Sequence, residues 1–146
     1  MGLHLVKPHA EIAEVWPRDG RIRLVGHIHG RTVRAGEDWR LLLVRRARTD
    51  ERLRYAARLA GDRFESELPI ADLTTEDPAA LEEWDIHLTD GEVELRAGRQ
   101  LDDIRGKKKI MVFPEQRTGT LRVRPYYTVK DNLSLECRTQ TQGGGA

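Results

Sequence analysis

Apolar and polar residues alternate in short runs along most of the chain, most clearly in Trp84-Asp85-Ile86-His87-Leu88. Period-two alternation puts Trp84, Ile86 and Leu88 on one face of a strand and Asp85, His87 and Thr89 on the other, as in an antiparallel sheet with one wet face. Asp90-Gly91 follows at once and predicts a two-residue type I′ hairpin, which pairs Leu88 with Val93, His87 with Glu94, Ile86 with Leu95 and Asp85 with Arg96.

The same pattern predicts strands from Ala10 to Trp16 and from Arg21 to His29, joined by Pro17-Arg18-Asp19-Gly20. A two-residue loop there would set Arg18 against Arg21 and put Pro17 in the ladder, so a four-residue loop is expected, pairing Glu14 with Arg23 and Val15 with Ile22. Asp38 to Arg46 carries Trp39, Leu41 and Leu43 on one face and Leu42 and Val44 on the other, which predicts a central strand covered on both sides. Arg52 to Leu59 fits strand or helix by its pattern, and the close spacing of turn signals favours strand. Arg63 to Leu68 reads as half-buried, with Phe64, Ser66 and Leu68 inward. Asp77-Pro78 ahead of AALEE predicts a single helical turn.

Beyond a loop from Gly98 to Gly106, Lys109 to Phe113 reads as a buried strand stopped by Pro114, and a polar loop leads to Gly119. Thr120 to Val129 and a run from Asn132 or Leu133 to Arg138 read as the last strands. In the first of these, Leu121, Val123, Tyr127 and Val129 point inward, leaving Arg122, Arg124, Tyr126 and Thr128 in a row outside. Pro125 donates nothing to a ladder, so this strand needs an edge or a bulge there. About eight to ten short strands and scarcely any helix predict an all-β antiparallel sandwich. The expected domain spans 10–138, after a lead-in over 1–9 and before a flexible Gly-rich tail over 139–146.

Composition narrows the function classes. The chain has 146 residues, of which 34% are charged, with 25 Lys and Arg against 24 Asp and Glu. That balance gives no global field to draw it to nucleic acid or an anionic membrane. One cysteine, Cys137, excludes an internal disulfide and lies in phase with Leu133 and Leu135, as a buried strand thiol would. No run reaches transmembrane length and no secretory leader is recognisable, so a cytoplasmic location is expected.

His27 and His29 share a strand face at a spacing that zinc sites use, with His87 or a carboxylate as a third ligand, but two histidines on a solvated face need no ion and no metal is expected. Asp102-Asp103 point opposite ways on extended backbone and make a poor catalytic pair. No nucleophile elbow, phosphate loop or dinucleotide fingerprint occurs, so neither an enzyme nor a cofactor is expected. Lys107, Lys108 and Lys109 form the only basic run, suited to phosphate or to guarding a strand edge. Arg122, Arg124 and Tyr126 offer a stacking surface flanked by anion donors, and they are the first candidates for a ligand site.

Phe64 to Leu73, Trp84 to Leu88, Leu101 to Pro114 and Val123 to Leu135 together resemble the accessory β-sandwich modules that accompany glycosyltransferase and CDP-glycerol glycerophosphotransferase domains in actinobacterial cell-wall polymer enzymes. The resemblance runs from about Ala10 to Cys137 and carries no catalytic residue. It implies an immunoglobulin-like or carbohydrate-module-like fold that binds cell-wall glycan or polyol-phosphate polymer. The alternative it leaves open is a structural module for homo-oligomerisation or for docking on a transferase domain. The transferase domain itself is missing from this chain.

Overall fold

The computed structural model describes residues 8–34, 36–74, 81–99 and 113–139. The alternating runs form the strands β1 (His9–Arg18), β2 (Arg21–His29), β3 (Arg40–Arg45), β4 (Arg48–Ala60), β5 (Arg63–Pro69), β6 (Leu81–Thr89), β7 (Glu94–Arg99), β8 (Gln116–Thr118), β9 (Leu121–Tyr127) and β10 (Leu133–Thr139). Of the helical turn predicted after Asp77-Pro78, Leu81, Glu82 and Glu83 instead open β6, and the rest lies outside the described residues, as do the predicted strand up to Val112 and Lys107, Lys108 and Lys109.

The strands do not form the expected sandwich. They are ordered β3-β4-β5-β2-β1-β7-β6, and β6 pairs back onto β3, which closes a seven-stranded barrel. Two long strands make closure possible. β4 pairs with β3 along its first part and with β5 along its last, from Ala57 to Ala60. β6 gives one edge to β3 and shares the other, with β10 alongside Leu81–Asp85 and β7 alongside His87–Thr89. Beyond β6, β10, β9 and β8 continue as a three-stranded extension. Inward and outward residues alternate in a barrel as they do in a sandwich, so the pattern alone does not separate the two.

Within the barrel Ile22, Leu24, Leu41, Leu43, Phe64, Leu68, Ile86 and Leu88 are fully buried, and Leu121, Val123, Leu133, Leu135 and Cys137 extend the same core under the extension. Each such aliphatic side chain contributes about 1.5–3 kcal/mol of transfer free energy. β3 is covered on both faces as predicted, with Leu42 buried as completely as Leu41. Trp84, Ile86 and Leu88 face the core as expected. A 3-10 turn at Ile70–Leu73, not anticipated from the pattern, brings Ile70 and Leu73 into the same core. Gly26 is inward-facing, and a Cβ there would meet Glu11 O at 2.1 Å and the Phe64 ring at 2.6 Å, so only glycine fits.

Four further local expectations are overturned. The β1–β2 hairpin uses the two-residue loop Asp19-Gly20, with Arg18 opposite Arg21 and Pro17 opposite Ile22. Asp19 (φ 56°) and Gly20 (φ 73°) both take the left-handed conformation a type I′ turn demands. Pro17 is tolerated because β1 pairs with β7 only through Ala10–Ile12, and Arg18 stays exposed beside Asp19. In the β6–β7 hairpin, Thr89 pairs with Glu94 and Leu88 with Leu95, two residues out from the predicted register. Here the Asp90 carboxylate accepts from the Glu92 and Val93 amides at 2.9 Å, and Thr89 Oγ1 donates to Val93 O at 2.6 Å, which stabilises a four-residue loop. Finally, Gln116–Thr118 is a strand and not a loop, while Val129, predicted inward, is fully exposed because β9 stops at Tyr127 and a turn with Asp131 at φ 61° follows.

Arg45, at the end of β3, points inward, where its guanidinium pairs with Glu82 and donates to Glu51 at 2.9 Å. Among the described residues no helix is long and apolar enough to cross a membrane.

Candidate functional site

Strand register assembles the site. On the outer face of β9, β10 and β6, Tyr126 lies opposite Ser134 and Ser134 opposite Asp85; Arg124 opposes Glu136, which opposes Glu83; and Arg122 opposes Arg138, which opposes Leu81. Strand spacing and the two-residue repeat make this three-by-three lattice roughly 10 by 14 Å. The sequence reading supplied the Arg122, Arg124 and Tyr126 column, and the pairing supplies the other two.

Arg46 and Arg96 hold the first row together. Arg46, in the turn after β3, donates through Nη2 to Asp85 at 2.7 Å, to Ser134 Oγ at 3.3 Å and to Tyr126 Oη at 3.4 Å, and it is ion-paired with Glu83. Arg96 donates to Asp85 at 3.1 Å, to Ser134 Oγ at 2.7 Å, to Ile86 O at 2.9 Å and to Leu133 O. β6 changes partners from β10 to β7 at Ile86, and the Arg96 guanidinium supplies donors at that junction. Its role is structural.

Burial pushes the Asp85 carboxyl up, but donors from Arg46 and Ser134 and the charges of Arg96 and Arg46 outweigh it and hold Asp85 below the ordinary carboxylate range. It is an anion that accepts hydrogen bonds, not a proton donor. Arg124 is less committed. Its Nη2 lies 3.5 Å from Glu136, and its Nε is buried with no hydrogen-bond partner among the described residues. Arg122 lies 3.9 Å from Glu115. Tyr126 is half-buried on this face, with its hydroxyl accepting from Arg46.

The other candidates are not part of this face. Burial pushes the Cys137 thiol up to about 12, as suits the inert strand position predicted for it. His87 lies on the outer wall opposite Arg96, with β7 and β1 between it and the β2 histidines, so it is no third ligand to them. His27 Nδ1 is 3.3 Å from Asp62, and His29 lies opposite His9. Asp102 and Asp103 lie outside the described residues. The sequence reading missed Arg46, Ser134 and Glu136. Their signals were present, in the arginine ending an apolar run and in the polar positions of LSLEC, but only cross-strand register joins them to Tyr126.

No family model matches the chain, and no curated protein matches it. Solved structures do. The chain is similar to S. aureus TarS with a TM-score of 0.64 and 17% identity, over 92% of this chain and 25% of that one. Against the structure of TarS 217-571 the TM-score is 0.64 and the identity 17%, over 97% of this chain and 41% of that one. The likeness is one of fold, and this chain spans less than half of either TarS chain.

Proposed function

We propose that this chain is a non-catalytic accessory module that binds cell-wall glycan on the outer face of β9, β10 and β6, in support of a glycosyl- or glycerophosphotransferase. The observation that carries the reading is a half-buried Tyr126 beside Arg124 on one strand face, with the Arg124 guanidinium held at its outer end by a long contact of 3.5 Å to Glu136. An aromatic ring stacks on the apolar face of a sugar while neighbouring guanidinium and carboxylate groups take its hydroxyls. Fold similarity to part of TarS, a wall teichoic acid glycosyltransferase, supports the cell-wall setting coarsely.

Within the two ligand classes, charge favours glycan over polyol phosphate. The arginines on this face lie beside Glu83, Asp85, Glu115 and Glu136, so it presents mixed donors and acceptors and not a field of one sign. Asp85 is held ionised and offers this face a hydrogen-bond acceptor, not an acid, which suits a binding role. Calorimetric titration with soluble cell-wall glycan fragments should give saturable heat that glycerol- or ribitol-phosphate oligomers do not. Binding of the phosphate oligomers alone would reverse that assignment, and silence from both would reject the site.

A structural docking module is the second reading. Trp16 is 46% exposed on β1, whose outer edge beyond Ile12 has no strand partner among the described residues. Sedimentation that shows self-association, or tight association with a transferase domain, abolished by Trp16→Ala would favour that reading.

A further inference from the structure

We propose that His9, Glu11 and His29 form a binding site for a divalent transition metal, Zn(II) in the first instance, on the outer wall of the barrel. Strand geometry brings the three together. His9 and Glu11 are two residues apart on β1 and share its outer face, while the β1–β2 register sets His29 directly opposite His9. The two imidazole rings are 5.2 Å apart between centroids, and Glu11 Oε2 is 3.3 Å from His29 Nε2. One nitrogen from each histidine and one carboxylate oxygen all lie within 4.8 Å of one another. Ligands about 2.1 Å from a shared ion can be at most about 4.2 Å apart, so small side-chain rotations close the triangle.

The state of His29 points the same way. Its Nε2 is shut off from solvent and has no hydrogen-bond partner among the described residues, because the nearby Glu11 carboxylate is out of alignment for one. A buried ring nitrogen beside a carboxylate and a second imidazole is costly unless something satisfies it. A cation coordinated by all three does so. Two nitrogens and one oxygen suit Zn(II) and its borderline neighbours, whereas Ca(II) and Mg(II) require a shell of oxygens. Three protein ligands leave a position open to water or to an outside ligand.

Sequence spacing alone pairs His27 with His29, but the fold selects His9 in its place. The His27 ring is 6.3 Å from that of His29, and its Nδ1 lies 3.3 Å from Asp62 across the β2–β5 edge. It is the built-in control. The site is also independent of the glycan face, since β1 and β2 are separated from β6 by β7 in the barrel order.

The test uses metal-free protein, titrated with Zn(II) by calorimetry and with Co(II) by visible absorption. One equivalent is expected, with Co(II) bands of a low-coordinate N/O site. His29→Gln, His9→Gln and Glu11→Gln should each weaken binding by more than about tenfold, as loss of a direct ligand should cost at least as much as loss of its outer-shell support. His27→Gln should leave it unchanged. All four positions are on the outer wall, and melting in chelator that matches wild type shows that each variant is folded. Two results would overturn the proposal: no one-to-one binding by folded wild type, or loss in His27→Gln equal to that in His29→Gln.

Discussion

Arg45 and Arg46 are neighbours in sequence and opposites in the fold. Arg45 continues the inward face of β3 and is 5% exposed, paired with Glu82, which is 4% exposed. Arg46 has left the strand and lies on the outer wall, with 44% of its side chain exposed, where it reaches Asp85, Ser134 and Tyr126. The same kinds of group, a guanidinium and its carboxylates, do different things because the solvent around them differs. Inside, charges taken from water depend on each other, and removal of one strands the other. Outside, each pair contributes little to stability, and its donors are available for exchange with a ligand.

Removal of Arg45 gives the largest expected effect. Arg45→Ala should cost about 3–5 kcal/mol in a denaturant melt, as breaking a buried pair typically does. The double variant Arg45→Met, Glu82→Leu should recover much of the loss, because a well-packed apolar pair avoids the stranded charge. If Arg45→Ala melts like wild type, the inner pair is not the buried element described.

Tyr126→Ala comes next. It should lower glycan affinity by about tenfold, about 1.4 kcal/mol, while the denaturant midpoint changes little. Equal affinity in a folded variant would remove Tyr126 from the site.

Arg46→Ala should cost about 1 kcal/mol of stability or less, since 44% of the Arg46 side chain is exposed and both Asp85 and the buried Ser134 keep Arg96 as a donor. A loss as large as that from Arg45→Ala would erase the contrast between the two faces.

The smallest effect is the acid limb of the stability curve. Asp85 has a folded pKa below its unfolded value of about 4, so its contribution is present above that pH and fades as pH falls through the folded value. Asp85→Asn should therefore reduce stability near neutral pH and flatten the slope below about pH 4. An unchanged slope would mean that the Arg46 and Ser134 contacts do not hold the carboxylate.

Much of this was legible in the chain. The facing of Trp84, Ile86 and Leu88, the double burial of β3, the buried Cys137 and the outward Arg122, Arg124 and Tyr126 follow from a period of two, which any half-buried strand must obey. Closure into a barrel was not legible, because it depends on which strand edges meet. Nor were the two hairpin registers. At Asp19-Gly20 the turn conformation outweighed an unfavourable Arg18–Arg21 pair, and at Asp90-Gly91 the side chains of Thr89 and Asp90 built a longer loop than the dipeptide alone suggests. The His9, Glu11 and His29 cluster is of the same kind, since cross-strand partners distant in sequence cannot be found from spacing.

The most direct test of a glycan face on β9, β10 and β6 is an NMR titration of the isotope-labelled protein with soluble cell-wall glycan fragments. Saturable shifts at Tyr126, Arg124, Ser134 and Glu136, with β4 unmoved, are the expected result. A folded spectrum with no shifts, or shifts confined to the β1 edge around Trp16, would contradict it.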